Sequence, residues 1–144
     1  MTATLDDCTV KIEVVVTGEL LETAGQKMGQ DTLVVIEGGL GIDQFSGGHS
    51  IRARHLYTID EARERFARLL LVTWHGAGNQ SLAGIQTALS GHRTGGRLPV
   101  TIDYKNDKAS ARIRLGDDWQ INPSAQLLES LRRTEGVSDV DLVY

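Results

Sequence analysis

Alternating apolar and polar positions predict strands in the first part of the chain. Residues 9–16 place valine or isoleucine at every second position with charged residues between them, which is typical of a half-buried strand. Residues 1–4 are predicted as a preceding strand, and apolar residues at helical spacing predict a short helix over 18–28. A further apolar strand covers 33–36 and ends at the glycines that follow it. Residues 49–57 predict its hairpin partner, with Ile51, Ala53 and His55 on one face and Arg52, Arg54 and Leu56 on the other.

A helix start is predicted directly after this hairpin. Thr58 stands three residues before Glu61, the spacing at which each side chain caps the other's backbone N–H group. Glu64 lies four residues before Arg68, the spacing of an ion pair on the helix surface. The hydrophobic pattern changes after Arg68. We therefore expect two domains, residues 1–68 and residues 69–144.

The second half of the chain predicts a sequence of six elements. An apolar strand over 69–74 precedes a helix capped by Asn79, and residues 99–104 and 110–115 predict a hairpin. Asn122 and Pro123 are predicted to open another helix, and 140–143 a final strand. The order β-α-β-β-α-β is that of a ferredoxin-like module with a split βαβ unit. The predicted fold class is α+β.

Two segments resemble a known family. The segment DQFSGGHSIRARHLYTIDEARERFAR, from Asp43, resembles the end of the oligonucleotide-binding (OB) domain in the alpha subunit of bacterial DNA polymerase III, where a D-x-F-S-G-G and DIDEAR-x-x-x-A-R pattern recurs. The segment GDDWQINPSAQLLESLR, from Gly116, resembles the extreme C-terminal domain of that subunit. The resemblance extends over nearly the whole chain. It implies an OB domain followed by a small C-terminal domain.

The resemblance also implies that the first domain is an incomplete OB-type β-barrel. An OB barrel has five strands, and in the polymerase subunit one of them precedes the segment that begins at Met1 here. A missing strand leaves unpaired backbone groups along an edge. We therefore expect a partly open sheet, or self-association in which another chain pairs at that edge.

Charge restricts where an anionic partner can bind. The net charge is −4, and residues 1–48 are mainly acidic, whereas residues 49–68 carry an excess of arginine. A broad basic footprint for nucleic acid is therefore absent. No apolar run is long enough to span a membrane and no signal sequence follows Met1. Together with a single cysteine, Cys8, this fits a bacterial cytoplasmic protein.

Phe45, Arg52 and Arg54 are the candidate DNA-binding residues. The two arginines project from one face of a strand, and Phe45 lies at the tip of the adjoining hairpin. Such barrels hold single-stranded DNA by phosphate attraction and base stacking. The alternative is that Phe45 packs into the barrel mouth and the arginines pair with carboxylates of the acidic first part.

The C-terminal residues are the candidate partner-binding site. Residues 138–144 align with a family segment of the type Q-V-E-L-E-F, which resembles a sliding-clamp-binding peptide, with Asp139 in place of the glutamine. The same region of the family docks the tau subunit of the clamp loader. The resemblance makes Leu142, Val143 and Tyr144 candidates for an apolar anchor. The alternative is that these residues form the closing strand of the second sheet.

No catalytic constellation is found in the sequence. The histidines are scattered, and the sequence contains no C-x-x-C, H-E-x-x-H or nucleophile-elbow motif. The adjacent Asp6 and Asp7 indicate a solvated turn rather than metal ligands, and Trp119 is interpreted as a core anchor rather than a ligand platform. We therefore expect no catalytic residue, metal ion or cofactor in this chain, although the subunit that it resembles is a DNA-directed DNA polymerase.

The sequence is compatible with two functions. The first is a non-catalytic module of the replicative polymerase subunit that contacts single-stranded template DNA, the tau subunit and the sliding clamp. The second is a protein-interaction module without DNA binding, which the acidic first part favours. A stand-alone enzyme is disfavoured because titratable groups do not cluster.

Overall fold

The chain forms two compact α+β units. A computed structural model describes residues 1–42, 47–75 and 79–144, the last range without the side chains of residues 79–81. The units are Met1–Ile59 and Asp60–Tyr144. The α+β class agrees with the prediction. The division falls directly after Ile59, the first residue of the helix that follows Thr58, whereas the sequence suggests a boundary after that helix.

The described residues of the first unit form a single mixed sheet and one α-helix. Its elements are β1 (Thr2–Asp6), β2 (Lys11–Val15), α1 (Gly18–Ala24) with a 3-10 turn at Gly25–Lys27, β3 (Val34–Ile42) and β4 (His49–Thr58). The strand order is β1-β2-β4-β3, with β2 and β4 parallel and the other pairs antiparallel. β1 and β3 are the two ends of the sheet. Within the described strands this is therefore an open sheet and not a closed barrel.

A small core holds the first unit together. Val14, Val16 and Ala53 are buried, and partly buried residues from β1, α1, β3 and β4 pack against them. The predicted inward face of the 9–16 strand is thus confirmed at Val14 in β2 and at Val16 directly after it. Val10 was expected on the same face, but it precedes β2 and is 69% exposed.

β3 continues through its glycines instead of ending at them. Gly38, Gly39 and Gly41 all pair with β4, and the ladder runs on to Ile42 opposite His49. The prediction that the strand stops near residue 36 is wrong because the hairpin partner satisfies the backbone groups of the glycines as well as those of any other residue.

A β-bulge changes the faces of β4. The register shifts between Glu37 and Gly38, so that Gly38 pairs with Ala53 and Glu37 with His55, and Arg54 is the extra residue. Ala53 and Leu56 are consequently both buried, whereas Arg54 and His55 are both exposed. Strict alternation had placed His55 on the face of Ala53 and Leu56 on the opposite face, and the bulge explains why that prediction fails.

The second unit combines a four-stranded sheet with α-helices. Its elements are α2 (Ile59–Phe66), β5 (Leu69–Trp74), α3 (Asn79–Ser90), β6 (Val100–Lys105), β7 (Ser110–Arg114), a 3-10 turn at Asp117–Trp119, α4 (Ala125–Arg132) and β8 (Val137–Val143). The strand order is β7-β6-β5-β8. β5 and β6 are parallel, and the two outer pairs are antiparallel.

The sheet order departs from the predicted ferredoxin-like arrangement. The predicted succession of elements from β5 to β8 is confirmed. A split βαβ unit, however, has another strand between its two parallel strands, and here β5 and β6 are direct neighbours. The βαβ unit is therefore not split, and β8 instead adds to the other side of β5.

The core of the second unit is larger than that of the first. Leu70, Val72, Val100, Ile102 and Val140 of the sheet are buried together with residues of α3, of α4 and of the segments around them. The buried helix residues are Ile85, Leu89, Leu127, Leu128 and Leu131.

α4 begins later than Asn122 and Pro123 suggested. Its N-cap is Ser124, whose Oγ accepts the Leu127 N–H at 3.2 Å. Asn122 is used elsewhere, because its Nδ2 donates to the Thr94 carbonyl at 3.1 Å and its neighbour Ile121 forms a β-bridge with Leu98. These bonds hold residues 121–122 in an extended path that a helix cannot follow.

Candidate nucleic-acid interface and tail

Arg52 and Arg54 lie exposed on the outer face of β4. Ile51 and Ala53 pack on the core side of the strand, so Arg52 projects from the opposite side and the bulge adds Arg54. Neither arginine forms an ion pair within the described ranges. The alternative in which they pair with carboxylates of the first part is therefore not observed there. Phe45 lies in residues 43–46, outside the described residues.

The neighbouring strand β3 has glycines, and so no side chains, beside these arginines on the same face. Gly39 pairs with Arg52 and Gly41 with Ser50. A Cβ added to Gly39 would have the Arg54 Nη2 as its nearest atom at 3.9 Å, and one added to Gly41 would approach nothing closer than 3.8 Å. Neither glycine has a positive φ. Gly39 and Gly41, here named the glycine shelf, are thus not required by the fold, and they leave the two guanidinium groups unobstructed on that side.

An aromatic pair that the sequence reasoning did not single out lies on β4. The rings of His55 and Tyr57 are stacked with centroids 6.0 Å apart and an interplanar angle of 19°. Tyr57 Oη donates to Glu37 Oε2 at 3.0 Å, and His55 Nδ1 lies 3.7 Å from the same oxygen. The pattern His-x-Tyr beside two arginines was the available signal. Glu37 offsets part of the positive charge near this end of the strand.

Asp7 holds the turn between β1 and β2. Its Oδ1 accepts hydrogen bonds from Thr9 Oγ1 at 2.6 Å, from Val10 N at 2.8 Å and from Thr9 N at 2.9 Å. The Thr9 hydroxyl, followed by the backbone donors, lowers the pKa of Asp7 to about 2. The prediction of a turn is confirmed. Within the described part of the chain, no group of three or more His, Cys, Asp or Glu residues is arranged to hold a metal ion.

The C-terminal residues form the edge strand β8. Leu142 pairs with Leu70 and packs partly buried against the second core. Val143 is 42% exposed and its carbonyl accepts the Arg68 N–H at 2.7 Å, whereas Tyr144 is 61% exposed. The tail is therefore the closing strand of the sheet, and of the three candidate anchors Val143 and Tyr144 are exposed.

Trp119 is packed against the second core. The guanidinium of Arg93 lies over its ring, 4.5 Å from the centroid, and Arg93 Nε also donates to the Asp118 carbonyl. The interpretation of Trp119 as a core anchor is confirmed.

The sequence aligns along almost its full length with known bacterial proteins. It is 36% identical over 143 residues, 98% of this chain, to DNA polymerase III subunit alpha of Escherichia coli K12. The chain is thus similar to part of the DNA polymerase III alpha subunit. The corresponding subunits of Haemophilus influenzae and Pseudomonas aeruginosa are 35% and 33% identical over 144 and 143 residues, 99% and 98% of this chain.

A family model indicates which region of the alpha subunit this chain matches. The family model described as DNA polymerase III subunit alpha, C-terminal domain, matches residues 84–136, from α3 to just beyond α4. This chain spans about 12% of the length of its alpha-subunit relatives. Among its described helices, none is long and apolar enough to cross a membrane.

Proposed function

We propose that the chain is a non-catalytic C-terminal module of a replicative DNA polymerase III alpha subunit, and that it contacts single-stranded template DNA through the outer face of β3 and β4. The observation that carries the proposal is the pair of exposed arginines, Arg52 and Arg54, beside the glycine shelf. Two cations without ion pairs to described residues attract phosphate groups. The stacked His55 and Tyr57 offer aromatic surface of the kind that binds bases. The similarity to the alpha subunit supports a location in the bacterial cytoplasm.

The first unit is, in this proposal, an OB-type sheet that has one strand fewer than a complete barrel. The order β1-β2-β4-β3 with parallel β2 and β4 supports it, since an OB barrel is a partly open Greek-key sheet that binds oligonucleotides on one face.

DNA binding by this face should be weak and sensitive to salt. Each phosphate contact to a single strand contributes about −0.7 to the slope of log K against log salt, so two arginines give a slope of about −1.4. The net charge of −4 adds no long-range attraction.

The test is a titration of a fluorescein-labelled oligo-dT with the 144-residue chain at low and moderate salt. We expect binding that weakens with salt and is lost in the Arg52→Ala plus Arg54→Ala variant. Lys105→Ala plus Lys108→Ala removes the same charge from the β6–β7 hairpin of the second unit and should retain binding. Absence of binding at low salt, or equal losses in both variants, would overturn the DNA role.

The tail is proposed to bind the tau subunit of the clamp loader. Val143 and Tyr144 are the anchors that the structure favours, because Leu142 is held against the second core. The sliding clamp is the weaker candidate. Asp139 stands in place of the family's glutamine, and its Oδ1 accepts the Val140 N–H at 2.9 Å, whereas an amide can also donate. Tau binding that survives Val143→Ser plus Tyr144→Ser would contradict this assignment.

The second candidate function is a protein-interaction module without DNA binding. It is favoured by Leu40 and Ile42 on the end strand β3, which are 70% and 68% exposed. In the oligo-dT titration, this candidate predicts no binding at any salt concentration. If the open edge mediates self-association, Leu40→Ser plus Ile42→Ser should abolish any dimer seen by sedimentation.

A further inference from the structure

A cavity with two arginines in its lining lies within the second unit. Its volume is about 450 Å³, which falls in the range of small-molecule sites. The wall is formed by the end of the α2 segment, the loop between α3 and β6, and the stretch before α4. The lining residues are Glu64, Ala67, Arg68, Gly95, Arg97, Leu98, Pro99, Ile121, Asn122 and Pro123.

No ion pair to a described residue neutralises the two arginines of this cavity. Arg68 and Arg97 are both exposed, and neither forms an ion pair across the described ranges. Glu64 is the one acidic residue in the lining. The sequence spacing had predicted an ion pair between Glu64 and Arg68, but α2 ends at Phe66, so Arg68 lies outside the helix on which that pair depends.

The backbone around both arginines is fixed. The Arg68 N–H donates to the Val143 carbonyl at 2.7 Å, and the Leu70 N–H donates to the Pro99 carbonyl at 2.9 Å. Beside Arg97, Leu98 and Ile121 exchange two hydrogen bonds of 3.0 and 3.1 Å. The two cationic segments are therefore held in place before any ligand arrives, which lowers the ordering cost of binding.

Two glycines allow the loop that carries Arg97 to pack against the Gln120–Ile121 backbone. Gly95 has φ +70°, a conformation that other residues rarely adopt. A Cβ on Gly96 would lie 2.5 Å from the Ile121 Cα and 2.6 Å from the Gln120 carbonyl oxygen. Only a glycine at position 96 lets the loop approach this closely, and the approach places Arg97 at the cavity.

We propose that this cavity binds a phosphate group, held by Arg68 and Arg97. The planar guanidinium fork matches the oxygens of a phosphate, and two such groups balance the charge of a phosphate better than that of one carboxylate. The cavity volume exceeds what a bare carboxylate needs, and the half-buried Pro99 offers apolar surface to the group that carries the phosphate. The phosphate can belong to a free nucleotide or to a nucleic-acid strand. This site is separate from the proposed DNA contact at Arg52 and Arg54.

The test titrates the whole 144-residue chain with inorganic pyrophosphate, dATP or oligo-dT at 50 mM salt, following the amide signal of Gly95 by NMR. We expect at least one probe to shift this signal, and we expect Arg68→Gln and Arg97→Gln each to weaken binding by about tenfold or more, the usual loss for a hydrogen bond between charged groups. Arg114→Gln removes one exposed arginine on β7 and should bind like wild type. The Arg52→Ala plus Arg54→Ala variant should also keep the Gly95 response, which separates this site from the first proposal.

The outcomes distinguish the sources of the phosphate. A response to dATP or pyrophosphate alone assigns the site to a free nucleotide, and a response to oligo-dT alone assigns it to a strand. No response to any of the three probes overturns the proposal. A loss in Arg114→Gln equal to that in Arg68→Gln also overturns it, because binding would then depend only on overall charge. Backbone NMR spectra that match wild type outside the cavity confirm that the variants are folded.

Discussion

Gly38 and Gly39 of β3 should respond in opposite ways to the same substitution. A Cβ on Gly38 would clash with the Arg52 carbonyl oxygen and lie 2.9 Å from Ile51 Cγ2. Because the first of these neighbours is backbone, β4 must move, and overpacking of this kind costs about 1–3 kcal/mol. Gly38→Ala should therefore lower the Tm of the first unit by at least about 4 °C, given about 4–8 °C per kcal/mol for a domain of this size.

Gly39→Ala should instead stabilise the same unit. Its nearest atom, Arg54 Nη2, is 3.9 Å from the added Cβ, so no contact is strained. Replacing glycine reduces the conformational entropy of the unfolded chain and contributes about 0.4–1 kcal/mol. This corresponds to a rise in Tm of a few degrees.

The assay must report the first unit alone. Trp74 and Trp119 both belong to the second unit, so tryptophan fluorescence is unsuitable, and the amide signals of Val14 and Ala53 in the first core should be followed by NMR during heating. The reasoning is refuted if Gly38→Ala unfolds at the wild-type Tm, or if Gly39→Ala is destabilised as much as Gly38→Ala.

Two further predictions concern the second core and the first turn. Leu131 is 0% exposed, so Leu131→Ala should cost about 2–5 kcal/mol in urea unfolding followed by tryptophan fluorescence, whereas Leu82→Ala, at a position 45% exposed, should stay within about 0.5 kcal/mol; equal losses would contradict the assigned burial. The Asp7 carboxylate should titrate by NMR with a pKa of about 2, and Thr9→Val should raise that pKa toward 3.8. Because the folded-state pKa is lowered, the stability that Asp7 contributes is present above pH 3.8 and is lost as the pH falls toward about 2. A wild-type pKa already near 3.8 would show that the turn does not form these hydrogen bonds.

The sequence predicted most of the strands and helices because their apolar periodicity is local information. The order of the strands is not local. The apolar pattern of Leu69–Trp74 does not determine which strands pair with it. The placement of β6 and β8 on its two sides depends on residues about 30 and 70 positions away. This is why the succession of elements was predicted correctly while the split arrangement was wrong.

The candidate DNA site was only partly accessible to sequence reasoning. Spacing alone placed Arg52 and Arg54 on one face, and the structure leaves both exposed. The bulge opposite Gly38 has no sequence signature beyond the glycines themselves, which predict the end of a strand, so the sequence does not reveal that His55 is exposed. Phe45 remains a prediction, since it lies outside the described residues.

The position of β8 has a consequence for folding kinetics. β5 lies in the interior of the second sheet, between β6 and β8, and its partner Val137–Val143 is separated from it by most of the unit. Such pairing raises the contact order, so the entropy of closing a long loop must be lost before the pairing is formed. We expect the second unit to fold at a rate limited by the arrival of β8. Until then, Leu70 and Val72 form an unpaired apolar edge that is open to intermolecular pairing.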